Sequence, residues 1–257
     1  MNFEKLAQLI DIEVEYIARS SLAIHAGKET AFEATESPVV KIGGKPVIPG
    51  SSLKGVLRST LEAILAQTGV EVCVPDAAIP NTVERGKEAA YAQSIGRKSA
   101  CRTDHPCPVC QIFGTTAGRQ GLSGRALFLD AKVLGEATLT ERTHVAITRD
   151  TRSQAGGKLL MRSEEVDAGA KFAGTIRLIN PEPWQVGAIL RALETMQYLG
   201  VGSKKTAGYG ELDVRVIEIL ARKMEKGEWK ESRVERAEFL AAFTAHIPQM
   251  PRRSEKK

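Results

Sequence analysis

In IDIEVEY (Ile10–Tyr16), Ile10, Ile12, Val14 and Tyr16 alternate with Asp11, Glu13 and Glu15. A period of two is the pattern of a strand with one face in a core and the other wet. Three later stretches repeat it. In RALFLDAKV, Leu127, Leu129, Ala131 and Val133 keep step; in KFAGTIRLI, Phe172, Ile176 and Leu178; in ELDVRVIEI, Leu212, Val214 and Val216. Two segments have helical spacing instead. Leu53, Val56, Leu57, Leu61, Ile64 and Leu65 form one stripe, and Val186, Ile189, Leu190, Leu193 and Met196 form another after the start signal NPEP.

The order strand, helix, strand, strand, helix, strand predicts an α+β fold. It is the split βαβ, ferredoxin-like (RRM-like) arrangement, an antiparallel sheet with both helices on one face. Three connections, at residues 19–50, 67–124 and 135–169, are too long for plain turns and are expected to carry function or structure of their own. The expected division is one domain. Its core spans about 10–66, 125–134 and 169–220; an insertion fills 67–124, a hairpin 135–168 and a C-terminal extension 221–257, with a short helix in VERAEFLAAFTAH.

The chain has 257 residues, 42% hydrophobic and 26% charged, with a net charge of +5 from 36 Lys+Arg against 31 Asp+Glu. So modest an excess only hints at a polyanionic partner. Its apolar runs fall short of the ~20 residues of a membrane span, and the N-terminus lacks a secretory layout, so a cytoplasmic protein with no membrane partner is expected.

Three of the four cysteines fall within ten residues, in CRTDHPCPVC. Two thiolates two residues apart can grip one tetrahedral ion, and a second pair of ligands closes the shell into a structural site. The expected zinc ligands are Cys101, His105, Cys107 and Cys110, with Cys73 as the substitute for His105. Reduced cysteines that merely cluster, or a redox pair, are the alternatives.

Four other stretches bear on function. PGSSLKGVLR (49–58) opens the first helix: Ser51 or Ser52 can cap it, while its free N–H groups and Lys54 and Arg58 face an anion. GVGSKKTAGYGEL places Ser203, Lys204 and Lys205 among glycines that allow close backbone approach. Residues 138–166 carry Arg142, Arg149, Arg152, Lys158 and Arg162, with Leu159, Leu160 and Met161 after two glycines. A basic hairpin of this kind suits phosphate contacts with an apolar wedge; a solvated charged hairpin is the alternative. HAGKETAFEATESPVV contains His25, Glu29, Glu33 and Glu36, which fit an acid–base or metal site or, equally, a solvated acidic loop.

Together IPGSSLKGVLRS, GSKKTAGYGEL and CPVCQIFG resemble the RAMP superfamily of CRISPR-associated proteins, in particular the Csm-type backbone subunits of type III effector complexes, over roughly residues 10–220. The resemblance implies a ferredoxin-like palm with a zinc-bearing insertion and a thumb hairpin at 138–166 that displaces one base of a guide–target duplex. It implies copies of the chain stacked along a CRISPR guide RNA, with a complementary target RNA and other effector subunits as partners.

It also implies His25, Ser51, Ser52, Lys54, Arg58, Lys204, Lys205 and the thumb arginines and lysine as RNA contacts. In many members a carboxylate before the first helix supports Mg- or Mn-dependent cleavage of the target. The ribose 2′-hydroxyl attacks the adjacent phosphate, leaving a cyclic phosphate and a 5′-hydroxyl. The matching position is Glu36, in ATESPVVK, where the family has aspartate. The extra methylene moves the oxygens by about 1 Å, a displacement that can cost on the order of a hundredfold in rate. Retained cleavage, a non-catalytic scaffold, and a guide-processing ribonuclease using His25 are the three readings.

Overall fold

The computed structural model describes residues 5–26, 37–75, 78–101, 104–116, 121–145 and 160–253. Its elements are β1 (Gln8–Ala18), β2 (Lys41–Ile42), β3 (Lys45–Ile48), α1 (Gly50–Gln67), α2 (Glu88–Ser94), α3 (Pro108–Phe113), β4 (Gly114–Thr115), β5 (Leu122–Ser123), β6 (Ala126–Phe128), β7 (Ala131–Val133), β8 (Leu139–Val145), β9 (Leu160–Val166), β10 (Lys171–Ile179), α4 (Pro183–Met196), β11 (Leu212–Glu225), β12 (Glu228–Arg233) and α5 (Arg236–His246). The fold is α+β with an antiparallel main sheet in the order β12-β11-β1-β10-β7-β3-β2, β6 pairing with β10 beside β7.

β1 lies inside this sheet, paired with β10 from Leu9↔Ile179 to Ile17↔Lys171 and with β11 along its other edge. Ile10, Ile12, Val14 and Tyr16 are all buried, in one cluster with Leu53, Leu57, Leu61 and Leu65 of α1 and Val186, Ile189, Leu190 and Leu193 of α4. The opposite face of β1 carries its acids. Asp11 is 3% exposed, which would raise its pKa. Hydrogen bonds from Arg177 (2.7 and 2.8 Å) and Arg222 prevail over that burial and hold it below the usual carboxylate range.

RALFLDAKV behaves differently from its pattern. It splits into β6 and β7, and the inward residues are Ala126 and then Ala131; Leu127 and Leu129 are 47% and 46% exposed. The break falls at Leu129–Asp130, where the Asp130 carboxylate accepts a 2.7 Å hydrogen bond from the Gly50 N–H at the start of α1. That bond also revises the helix start: neither serine caps α1, whose N-cap position is Pro49. Asp130 supplies a carboxylate at the positive end of the helix. Gly50 is needed there because a Cβ would lie 2.1 Å from the Phe128 carbonyl oxygen.

The segment between α1 and β6 is not separate from the core. Val109, Ile112 and Phe113 of α3 are buried in the same cluster, and the Phe113 ring stacks on Phe128 at 5.5 Å. Beyond β11 the chain turns through Lys226 and Gly227, both at positive φ, into β12, and α5 then covers α4. Trp184 stacks on His246 there, and Gly187 leaves room for the Phe239 carbonyl, 2.0 Å from where a Cβ would stand. No helix among the described residues is long and apolar enough to cross a membrane.

Gly50→Ala is expected to destabilise the protein by roughly 1–3 kcal/mol through overpacking, read as a lower urea midpoint at unchanged m. Gly55, with nothing within 4 Å of its missing Cβ, gives the opposite sign: Gly55→Ala raises stability by about 0.5–1 kcal/mol.

Candidate functional site

The four cysteines come together. Cys73, Cys101, Cys107 and Cys110 are all buried, with their sulfurs within 4.8 Å of one another. Cys73 arrives from the segment after α1, where it bridges Lys98, while Cys107 and Cys110 flank the first turn of α3, which begins at Pro108. The Cys73 and Cys110 sulfurs are 3.3 Å apart and those of Cys107 and Cys73 3.7 Å, and none is in a disulfide. Hydrogen bonding with the Cys101 thiol, then those of Cys110 and Cys73, holds the Cys107 thiol well below the usual thiol range. His105 is exposed and lies outside the group, so Cys73 replaces it as the fourth member. The site can hold a metal ion: tetrahedral Zn–S bonds of about 2.3 Å would place sulfurs about 3.8 Å apart, close to what is seen.

A second constellation forms where the β8–β9 hairpin meets the main sheet. Leu22 and Val166 exchange backbone hydrogen bonds of 2.8 and 2.9 Å, and Ser37 bridges Ser163. His25 Nε2 lies 3.2 Å from the Glu164 carbonyl oxygen. The glycine-rich loop closes on the same place: Ser203 N–H donates to Ala23 O at 2.9 Å, and a Cβ on Gly202 would come within 2.6 Å of that oxygen. A Cβ on Gly210 would be closer still, 1.9 Å from the Val201 carbonyl oxygen. These close approaches place Ser203 Oγ 3.5 Å from His25 Nδ1 and Lys204, at φ 57°, against the hairpin, where its Nζ donates to Ser163 Oγ at 2.8 Å.

At the centre of this junction is Glu165, whose side chain is fully buried. It pairs with Arg142 Nε at 3.2 Å and with His144 Nε2 at 3.3 Å. The Tyr209 ring backs the group, 6.0 Å from the Arg142 guanidinium and 5.6 Å from Lys204 Nζ. Burial lowers the His25 pKa. The hydrogen bond to Glu164 and the Glu165 charge oppose that shift, while Lys204 and His144 reinforce it. Glu165, His144 and Tyr209 escaped sequence reasoning; in the chain they look like ordinary residues of a charged hairpin and a turn.

The other expected positions divide as follows. Ser51 is exposed, and Ser52 and Lys54 are half-buried on the first turns of α1; burial and then the nearby Arg58 charge lower the Lys54 pKa. Arg58 instead points inward, to Glu62, Gly114 O and Cys110 Sγ. Arg162 and Lys205 are exposed. Glu29, Glu33, Glu36, Arg149, Arg152, Lys158 and Leu159 lie outside the described residues.

A family model described as the RAMP superfamily matches residues 18–213. The chain is also 22% identical over 255 residues to a protein of Methanothermobacter thermautotrophicus named "CRISPR system Cms endoribonuclease Csm3", an alignment covering 88% of this chain and 93% of that relative.

Glu165→Gln removes the buried charge that holds Arg142 and His144. It is expected to raise amide hydrogen exchange across β8 and β9 while leaving β1 and β10 protected; unchanged exchange in the hairpin would show that Glu165 does not hold it.

Proposed function

The chain belongs to the RAMP superfamily, and from that membership we propose that it is a guide-RNA-binding backbone subunit of a type III CRISPR effector complex. The observation that carries the reading is the convergence of His25, Ser203, Lys204 and Arg142 at the junction of the hairpin and the main sheet. In this reading the main sheet with α1 and α4 is a ferredoxin-like palm, and β8 and β9 belong to the thumb. RNA phosphates meet Lys204, Arg142 and the exposed Lys205 and Arg162, while His25 and Ser203 offer hydrogen bonds. Arg149, Arg152 and Lys158 are proposed from the sequence as further RNA contacts.

On α1 the contacts are Ser51, Ser52 and Lys54. Gly55 beside them keeps the helix surface low enough for a strand to lie close. The +5 charge of the chain suits such a partner. Further copies of the chain, a complementary target RNA and other effector subunits complete the assembly, and its place is the cytoplasm.

The target is proposed to be cut at the carboxylate of Glu36. Glu36, in ATESPVVK, stands at the position that matches the family's catalytic aspartate, which supports the assignment. A divalent Mg or Mn ion would supply charge stabilisation at the scissile phosphate. The glutamate, one methylene longer than the family's aspartate, favours a second reading: a scaffold that holds RNA without cutting it. The assembled complex, given complementary RNA and magnesium or manganese, separates the two. Cuts at fixed spacing that Glu36→Ala abolishes support cleavage here; no cuts with either protein support the scaffold. Cleavage undiminished in Glu36→Ala would remove Glu36 from the chemistry. In either reading RNA affinity falls with salt, and Lys54→Ala lowers the slope of log K against log salt by about 0.7; an unchanged slope would remove Lys54 from the RNA path.

The metal at the four cysteines is proposed to be zinc, because four buried sulfurs are a soft donor set with no open position for substrate. Elemental analysis is expected to give one zinc per chain, and stripping it with a chelator to lower the melting temperature. Metal-free protein of equal stability would contradict a structural role.

A further inference from the structure

Arg58 sits on the α1 turn after Lys54, yet its side chain is only 16% exposed and its guanidinium is engaged by groups of the protein itself. Nη2 donates to Cys110 Sγ at 3.4 Å, Nη1 to the Gly114 carbonyl at 2.8 Å, and Nε to Glu62 Oε1 at 2.9 Å. Cys110 lies on α3 and Gly114 immediately follows it, so one planar fork spans α1, the metal centre and the end of α3. The other Glu62 oxygen accepts from Arg97 Nη1 at 2.6 Å. Arg97 precedes Lys98, which bridges Cys73, and Lys98 Nζ in turn pairs with Glu71 at 3.2 Å.

We infer that Arg58 is a positioning residue of the cysteine centre rather than an RNA contact, and that with Glu62 and Arg97 it fastens that centre to α1. The chemistry calls for such a residue. Four thiolates around one divalent ion leave an excess of about two negative charges, in a site where all four sulfurs are buried. A guanidinium donating to one of the sulfurs offsets part of that charge and fixes the direction of a thiolate. Outer partners of this kind orient metal ligands and set the affinity of the site. The remaining groups at the junction, Glu62 with Arg97 and Lys98 with Glu71, form pairs that balance each other. Arg58 also joins the centre to the helix that presents Ser51, Ser52 and Lys54. The metal therefore holds part of the proposed RNA surface in place, a consequence that rests on the zinc and RNA readings above.

The test uses the full chain with zinc as the probe, titrated against a chromogenic chelator, and with cobalt(II) as a spectroscopic substitute. Arg58→Gln is expected to weaken zinc binding by ten- to a hundredfold. It should also shift the sulfur-to-cobalt charge-transfer band, while the salt slope of RNA binding stays at the parent value with zinc in excess. Lys54→Ala is expected to give the reverse: parental zinc affinity and a reduced salt slope. Parental zinc affinity and an unshifted cobalt band in Arg58→Gln, with a salt slope lowered by about 0.7, would return Arg58 to the RNA and overturn the inference. A parent that takes up no zinc would remove the metal reading itself, a result distinct from that failure. If Arg58→Gln does not fold, Arg58→Lys carries the same comparison, because it keeps a cation but loses the planar fork.

Discussion

Hydrogen bonds along both edges of β1, to β10 on one side and to β11 on the other, fix which of its side chains are inside. A one-residue slip would move Ile10, Ile12, Val14 and Tyr16 to the wet face and bury Glu13 and Glu15. The register therefore determines where α1 and α4 pack, and it sets the position of Ser21–Ala23 just beyond the strand. Those backbone groups receive the glycine-rich loop: Gly210 donates to Ser21 O and Ser203 to Ala23 O, each at 2.9 Å. The loop in turn carries Lys204 to the hairpin. The site at the junction is thus a consequence of strand register, transmitted through backbone contacts too close for any side chain at Gly202 or Gly210.

Two buried groups of charged or ionisable side chains stand on this frame, and both join an excursion to the core. At the hairpin, Glu165 binds Arg142 and His144 and so ties β8 to β9 and both to Tyr209. Between α1 and β6, four sulfurs and the Arg58 guanidinium join α3 and the segment after α1 to the helix itself. Unpaired, each of these groups would carry a heavy desolvation cost, which is why each charged member has a partner of opposite sign or a thiol beside it.

Much of this was legible in the chain. The period of two in Ile10–Tyr16 and Lys171–Ile179 and the stripes of α1 and α4 agree with the burial seen, because each element has one face in a single core. The cysteine run contains three members of the candidate metal site. The fourth was harder: Cys73 is brought in by the turn after α1, and no short-range spacing announces it, whereas His105 sits within the run but is exposed. RALFLDAKV misled because its alternation is interrupted at Asp130, whose bond to Gly50 N–H changes the parity of the strand. Two hairpins carry local turn signals, Gly43–Gly44 between β2 and β3 and Lys226–Gly227 between β11 and β12, each pair at positive φ. Arg58 and Glu165 could not be placed from sequence, since helical spacing and charge alone do not tell a solvated residue from one buried with its counter-charge.

The junction of hairpin, glycine-rich loop and main sheet is the proposed surface for single-stranded RNA. Photocrosslinking of a bound single-stranded RNA, mapped to peptides by mass spectrometry, tests it most directly. Crosslinks are expected on the peptides holding His25, Arg142, Ser203–Lys205 and the first turns of α1. Crosslinks confined instead to the acid-bearing face of β1 and β11, at Glu13, Glu15 and Arg215, would contradict it.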